Sequence, residues 1–126
     1  YFSLICYHSL LDEIEYILAF SSDTANFEFL LWDATSQIVL YTGTDLYLID
    51  ENFKYKKIID YMSPLIGLLV TPIGNLIILE EVSLITINRE GEIILKERFD
   101  LIEDYKITND KLYIQTEEAL KIIQNY

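Results

Sequence analysis

The sequence predicts an all-β fold, a single antiparallel meander built from repeated four-stranded sheets. Three observations predict it. Short β-rich apolar runs are separated every few residues by turn formers, helical periodicity is weak throughout, and segments of the chain lie over one another at spacings of 36 to 38 residues. With 126 residues, 52% of them hydrophobic and 13% aromatic, the chain is long enough to bury a core without disulfide or metal.

The expected strands fall near 14–20, 27–33, 37–42, 46–50, 53–60, 65–71, 75–80, 84–88, 92–99, 102–108, 111–116 and 119–124. Turn chemistry separates them: Asp33-Ala34-Thr35-Ser36, Thr42-Gly43-Thr44-Asp45, Asp50-Glu51-Asn52, Pro72-Ile73-Gly74-Asn75, Arg89-Glu90-Gly91 and Thr108-Asn109-Asp110. Upstream, residues 1–12 stand outside the repeat. Tyr1 to His8 fits another strand, and 9–13 fits a short helical turn capped by Ser9.

The self-similarity is nearly gapless. Phe29-Leu30-Leu31-Trp32 lies over Gly67-Leu68-Leu69-Val70, and Asp45 to Asp50 lies over Ser83 to Asn88, both at a shift of 38. Asn75 to Ile78 lies over Lys111 to Ile114, and Leu84 over Leu120, at a shift of 36. The copies run over 27–64, 65–100 and 101–126 within one domain, and the third holds only three strands.

In these residues the chain resembles β-propeller blades, four-stranded antiparallel sheets repeated around an axis. Residues 74–79 and 84–95 look like the second to fourth strands of a blade, and the likeness covers 27–126. Trp32-Asp33 closes a first strand, so it does not stand where the Trp-Asp signature of the best-known family does. The resemblance implies a propeller-like stack of three sheets, in which the strand at 13–20 completes the last repeat beside Ala119 to Gln124. Alternatively, a homodimer closes a six-bladed ring. A β-sandwich is the alternative architecture.

Charge narrows the partners. There are 21 acidic against 9 basic residues, a net −12, and residues 1–53 hold nine carboxylates with no Lys or Arg. Such a chain is repelled by nucleic-acid phosphates and by anionic membranes. The longest apolar run, 65–79, is interrupted by Gly67, Pro72, Gly74 and Asn75 and falls short of the roughly 20 residues of a membrane helix. A single cysteine cannot pair internally and no glycosylation sequon occurs, so a cytoplasmic location is expected. The first residue is Tyr1 rather than Met, which leaves room for sequence upstream.

No residue pattern supplies a catalytic, metal or cofactor site. Cys6 and His8 offer two of the four ligands zinc takes, and the chain has no other His or Cys. The paired carboxylates Glu80/Glu81, Glu103/Asp104 and Glu117/Glu118 are adjacent, and adjacency in a strand sends neighbours to opposite faces, whereas a glycosidase needs two carboxylates on one cleft. Glu80-Glu81 and Glu117-Glu118 recur at one place in successive repeats, which reads as a solvated turn. Four glycines include no phosphate-loop or dinucleotide spacing. Lys54, Lys56 and Lys57, beside Phe53 and Tyr55, form a small basic cluster that reads as a charged strand edge. Tyr41, Tyr47, Tyr55, Tyr61, Tyr105 and Tyr113 read mostly as core or half-core, though Tyr also anchors interfaces.

The expected function is therefore a non-enzymatic protein-interaction module, in the manner of an immunity or inhibitor protein, with Asp12, Glu13, Glu15, Asp33, Asp45, Asp50 and Glu51 facing a basic protein partner. The alternative is a structural fragment of a larger propeller or repeat scaffold. A hydrolase working through Glu80 or Asp33 would need perturbed carboxylates gathered in one pocket.

Overall fold

Runs such as Leu76-Ile77-Ile78-Leu79 carry apolar side chains on both faces of a strand, so sheets must cover them from both sides. The structure, a computed structural model, describes residues 2–8, 15–21, 26–108 and 111–124. The first strands, β1 (Phe2–His8) and β2 (Glu15–Ser21), pair with each other in an antiparallel ladder from Phe2↔Ser21 to His8↔Glu15. The first full sheet runs β3 (Glu28–Trp32), β4 (Gln37–Tyr41), β5 (Leu46–Ile49) and β6 (Tyr55–Ile59), with a 3-10 turn at Asp33–Thr35. The second runs β7 (Leu65–Val70), β8 (Leu76–Glu80), β9 (Ser83–Ile87) and β10 (Ile93–Arg98). The third holds β11 (Ile102–Ile107), β12 (Lys111–Thr116) and β13 (Leu120–Gln124). Each sheet is antiparallel and ordered as the chain is.

The three sheets stack in series. Leu76, Ile78, Ile85 and Ile87 of the second sheet pack against Trp32, Val39, Tyr41, Leu46 and Leu48 of the first. From its other face Ile77, Leu79 and Leu84 pack against Ile102, Leu112 and Ile114 of the third. β8 is thus buried along its whole length, and each of its four apolar side chains contributes about 1.5–3 kcal/mol. The sandwich is not adopted, because each hairpin-linked group of strands closes its own sheet before the chain moves to the next.

The turn after β5 shows how literally the unit repeats. The Asp50 carboxylate accepts hydrogen bonds from the backbone N–H of Asn52 and Lys54, each at 2.9 Å. Thirty-eight residues on, the Asn88 side-chain oxygen accepts from Glu90 at 3.0 Å and Glu92 at 2.9 Å. Phe53 and Gly91 hold the same left-handed position, with φ of 61° and 83°.

The structure shifts one alignment by a residue. Leu31 pairs with Ile38 and Val70 with Leu76, and since Ile38 and Leu76 hold the same place, the first strands match at a shift of 39 rather than 38. Between these equivalent pairs the chain runs through six residues in the first sheet, 32–37, and five in the second, 71–75. A slip of one moves every side chain to the opposite face, so Leu30 corresponds to Leu69, and both face the following sheet.

The N-terminal expectation also changes. β2 pairs with β1 and not with β13, leaving the third sheet three-stranded among the described residues. A local hairpin closes a short loop, whereas pairing with β13 would close one of about a hundred residues at greater entropic cost. The helical turn expected at 9–13 lies outside the described residues.

Candidate partner-binding surfaces

A meander sends alternate turns to opposite ends of the stack, so the position of each carboxylate follows from the turn that holds it. Turns 33–36, 50–54, 71–75 and 88–92 share one end, tied together where Trp32 Nε1 donates to the Gly74 carbonyl at 2.8 Å. Turns 42–45, 60–64, 81–82, 99–101 and 117–119 share the other. They are linked by backbone N–H groups of Met62, Glu81 and Ile102, which donate to the carbonyls of Thr44, Pro64 and Glu81 at 2.7–2.8 Å.

The expected acidic residues therefore divide. Asp33, Asp50 and Glu51 sit at the first end, and Asp45 sits at the second. Glu15 opens β2, while Asp12 and Glu13 lie outside the described residues. Asp33 and Glu51 are exposed, and Glu90 and Glu92 of the second sheet join them at that end, interspersed with Lys54 and Arg89.

Asp50 and Asp45 also serve the fold. The Asp50 carboxylate closes its own turn, and that of Asp45 accepts from the Tyr61 N–H at 3.1 Å and pairs with Lys57 at 3.7 Å. Lys57 bonds Asp60 at 3.1 Å and lies 5.7 Å above the Tyr47 ring. The Asp60 hydrogen bond, with the nearby Asp45 charge, raises the Lys57 ammonium above its ordinary pKa. Lys57 is thus an ion-pair partner as well as a strand-edge charge.

The second end holds carboxylates that the reading by halves of the chain passed over: Asp60, Glu81, Asp100, Glu117 and Glu118, with Lys57 and Arg98 among them. Their signal in the sequence was an acidic residue at every second turn. Glu80 departs from the solvated-turn reading. Thr42, Glu80 and Thr116 hold one place in the three sheets, each 6–8% exposed, and the turn residues proper are Glu81-Val82 and Glu117-Glu118. The Glu80 carboxylate, being buried, takes its hydrogen bonds from the N–H and hydroxyl of Ser63.

Of the tyrosines, Tyr41 is buried, Tyr47, Tyr105 and Tyr113 are half-buried, and Tyr55 and Tyr61 are exposed. Cys6 and His8 both fall in β1. Among the described residues no three His, Cys, Asp or Glu side chains gather as a metal site, and no helix is long and apolar enough to cross a membrane.

Open apolar surface lies on the two outer sheets. On the first, Phe29 and Leu31 are 57% and 47% exposed; on the third, Leu120 and Ile122 are 55% and 47% exposed, beside a shallow hollow of about 490 Å³ lined by Asp104, Lys106, Tyr113 and Gln115. Compared with known proteins, the chain matches no family model, no curated protein and no solved structure.

Proposed function

We propose that this chain is a non-enzymatic protein-interaction module that docks a basic protein through its acidic turns, as an immunity or inhibitor protein does. The observation that carries the reading is the placement of Asp33, Glu51, Glu90 and Glu92, all exposed, on turns at one end of the stack, within a chain of net charge −12. Carboxylates on turns are presented without a cost to the sheets, and an end where they outnumber Lys54 and Arg89 steers a cationic partner into place. The partner is a protein with clustered Lys or Arg, since nucleic acid and anionic lipid share the chain's own sign.

A lysine-rich peptide is the probe, titrated by fluorescence anisotropy at about 50 mM and about 300 mM salt. Binding should weaken as salt rises. It should fall at least about tenfold on Asp33→Lys with Glu51→Lys, about 1.4 kcal/mol, and change less on Glu117→Lys with Glu118→Lys at the opposite end. Equal losses from both pairs, or affinity indifferent to salt, would refute a docking face at this end.

A second reading has its own support. Phe29 and Leu31 on the first strand of the first sheet, and Leu120 and Ile122 on the third sheet, leave apolar surface exposed that suits one part of a larger propeller-like scaffold. Flanking sequence that carries further copies of the 36–38 residue unit is the observation that would establish it.

A further inference from the structure

The third sheet stops one strand short of the pattern that the other two complete. In the first sheet β6 closes β5 through Leu46↔Ile59 and Leu48↔Lys56, and in the second β10 closes β9 through Leu84↔Glu97 and Thr86↔Leu95. Leu120 and Ile122 of β13 hold those places, at shifts of 38 and then 36. Among the described residues no strand pairs with β13 from its outer side. Exposure registers the loss of both neighbours, the fourth strand at the edge and the next sheet over the face. Leu46 and Leu84 are each 0% exposed and Leu120 is 55%; Leu48 and Thr86 are 7% and 5% exposed and Ile122 is 47%.

The edge offers backbone groups as well as side chains. In an antiparallel ladder alternate residues turn their N–H and C=O to opposite edges. The Thr116 N–H donates to the Ala119 carbonyl at 2.9 Å, so 119, 121 and 123 bond inward to β12, while Leu120 and Ile122 aim their groups outward. Asp50 and Asn88, in the same phase of β5 and β9, donate their N–H groups at 2.9 Å to the carbonyls of Lys54 and Glu92, where the fourth strands begin. β6 and β10 guard their own outer edges with Lys56, Lys57, Lys96 and Arg98. β13 carries one cation, Lys121, and it is bonded to Glu97 of the second sheet.

Charge decides which strand fits. The turn into β13 holds Glu117 and Glu118, both exposed. At that level the second sheet's fourth strand places Arg98 opposite Ser83, the counterpart of Ala119, and in the first sheet Lys57 reaches back to the Asp45 that leads into β5. One residue pair is reversed. Lys121 holds the place of Tyr47 and Ile85, which face Lys57 and Lys96, so a cation opposite Lys121 is repelled.

We propose that the outer edge of β13 takes an extended segment of another protein as a fourth, antiparallel strand. That segment carries apolar residues opposite Leu120 and Ile122, an uncharged residue opposite Lys121, and a Lys or Arg beside Glu117 and Glu118. Main-chain hydrogen bonds supply the affinity and the alternate side chains the choice of partner. A second copy of the chain is the poorer occupant, since two chains of net charge −12 repel. The site is a strand edge, separate from the turns at Asp33 and Glu51, so either proposal can fail alone.

The probe is a capped peptide of residues 92–98 with Lys96→Thr and Glu97→Val, which sets Leu95 opposite Ile122 and Arg98 opposite Ala119. Amide hydrogen exchange on the whole chain, read by NMR, follows its binding. Saturating peptide should slow the amides of Leu120 and Ile122 at least about tenfold and change those of Lys121 and Ile123 less. A methyl group on the peptide nitrogen of Leu95, which faces β13, should abolish this protection; one on the nitrogen of position 96, which faces away, should leave it. Ile122→Pro removes an outward N–H without touching the β12 ladder and should weaken binding at least about tenfold. The buried emission of Trp32 reports that this variant is folded. Glu117→Gln with Glu118→Gln should weaken binding and flatten its salt dependence, and a peptide that keeps Lys96 should bind less well. A lysine-rich peptide should leave both amides exchanging as before.

Absence of binding at about 1 mM peptide, weaker than about −4 kcal/mol, would overturn the proposal. So would binding that leaves the Leu120 and Ile122 amides unprotected, or equal effects of the two methyl groups. Amides already protected in the free chain would overturn it too, because a second copy would then fill the edge.

Discussion

At the residue scale, the buried polar positions organise the fold more than any candidate chemistry does. Trp32 is fully buried, yet its indole N–H reaches the Gly74 carbonyl, so one side chain both fills the space between two sheets and fixes the end of a turn. Gly74 is in turn held to glycine: its φ is +87°, and an added Cβ would lie 3.1 Å from both Ala34 and Arg89. Tyr41 is buried and donates its hydroxyl to the Gly43 carbonyl at 2.8 Å. Burial raises its pKa, a hydrogen bond with the Leu65 backbone opposes that, and the charges of Glu80 and Glu28 add to the rise. The unfolded chain loses this proton near the ordinary pKa of about 10, whereas the folded chain keeps it longer. The stability this contributes is complete below about pH 10 and is lost as pH climbs through the folded value. Tyr41→Phe should therefore cost about 0.5–1.5 kcal/mol near neutrality, the worth of one hydrogen bond, and fall less steeply between about pH 8 and pH 10.5. Urea unfolding of both proteins across that range checks it; parallel curves would contradict the assignment.

At the scale of the element, position in the stack decides what a given residue type is worth. Leu84 and Leu120 occupy one place in successive sheets, but Leu84 is fully buried between two sheets and Leu120 faces outward. Leu84→Ala should cost about 2–5 kcal/mol, from lost transfer energy and the cavity left behind. Leu120→Ala should change the stability of the single chain by no more than about 0.5 kcal/mol. Denaturant melts at a concentration too low for association measure both, and equal costs would show that the third sheet's outer face is covered. The outermost strands are legible in the same way. β6 and β10 carry Lys56, Lys57, Lys96 and Arg98 on exposed positions, charges that discourage pairing with another chain. A bulge recurs in the first strands of the second and third sheets, around Ile66 and Glu103, which separates Glu103 from Asp104 in the ladder.

At the scale of the whole molecule, a net charge of −12 on a 14.8 kDa chain presses the folded state outward, because folding brings the carboxylates closer together. The ion pairs Lys57–Asp45, Lys57–Asp60 and Lys121–Glu97 answer only part of it. Screening should accordingly stabilise this protein. Raising sodium chloride from about 10 mM to about 300 mM, which shortens the Debye length from about 30 Å to below 10 Å, should raise the melting temperature by a few degrees. Calorimetry would detect it, and a falling melting temperature would mean that the ion pairs outweigh the repulsion.

The sequence by itself determined the strands, the turns that separate them and the unit they repeat. All three are local: apolar runs need burial, Gly, Asn and Asp permit the turns, and equal spacing makes equal sheets. It also determined that Leu76 to Leu79 must be covered on both sides. Only the tertiary structure decided the register of the first strand, the partner of β2, and which carboxylates share an end, since Asp33 and Asp45 are twelve residues apart yet lie at opposite ends of the stack. Those outcomes depend on turn lengths and on competition between distant pairings, and a one-residue difference in a turn exchanges the faces of a strand without altering its hydrophobic pattern.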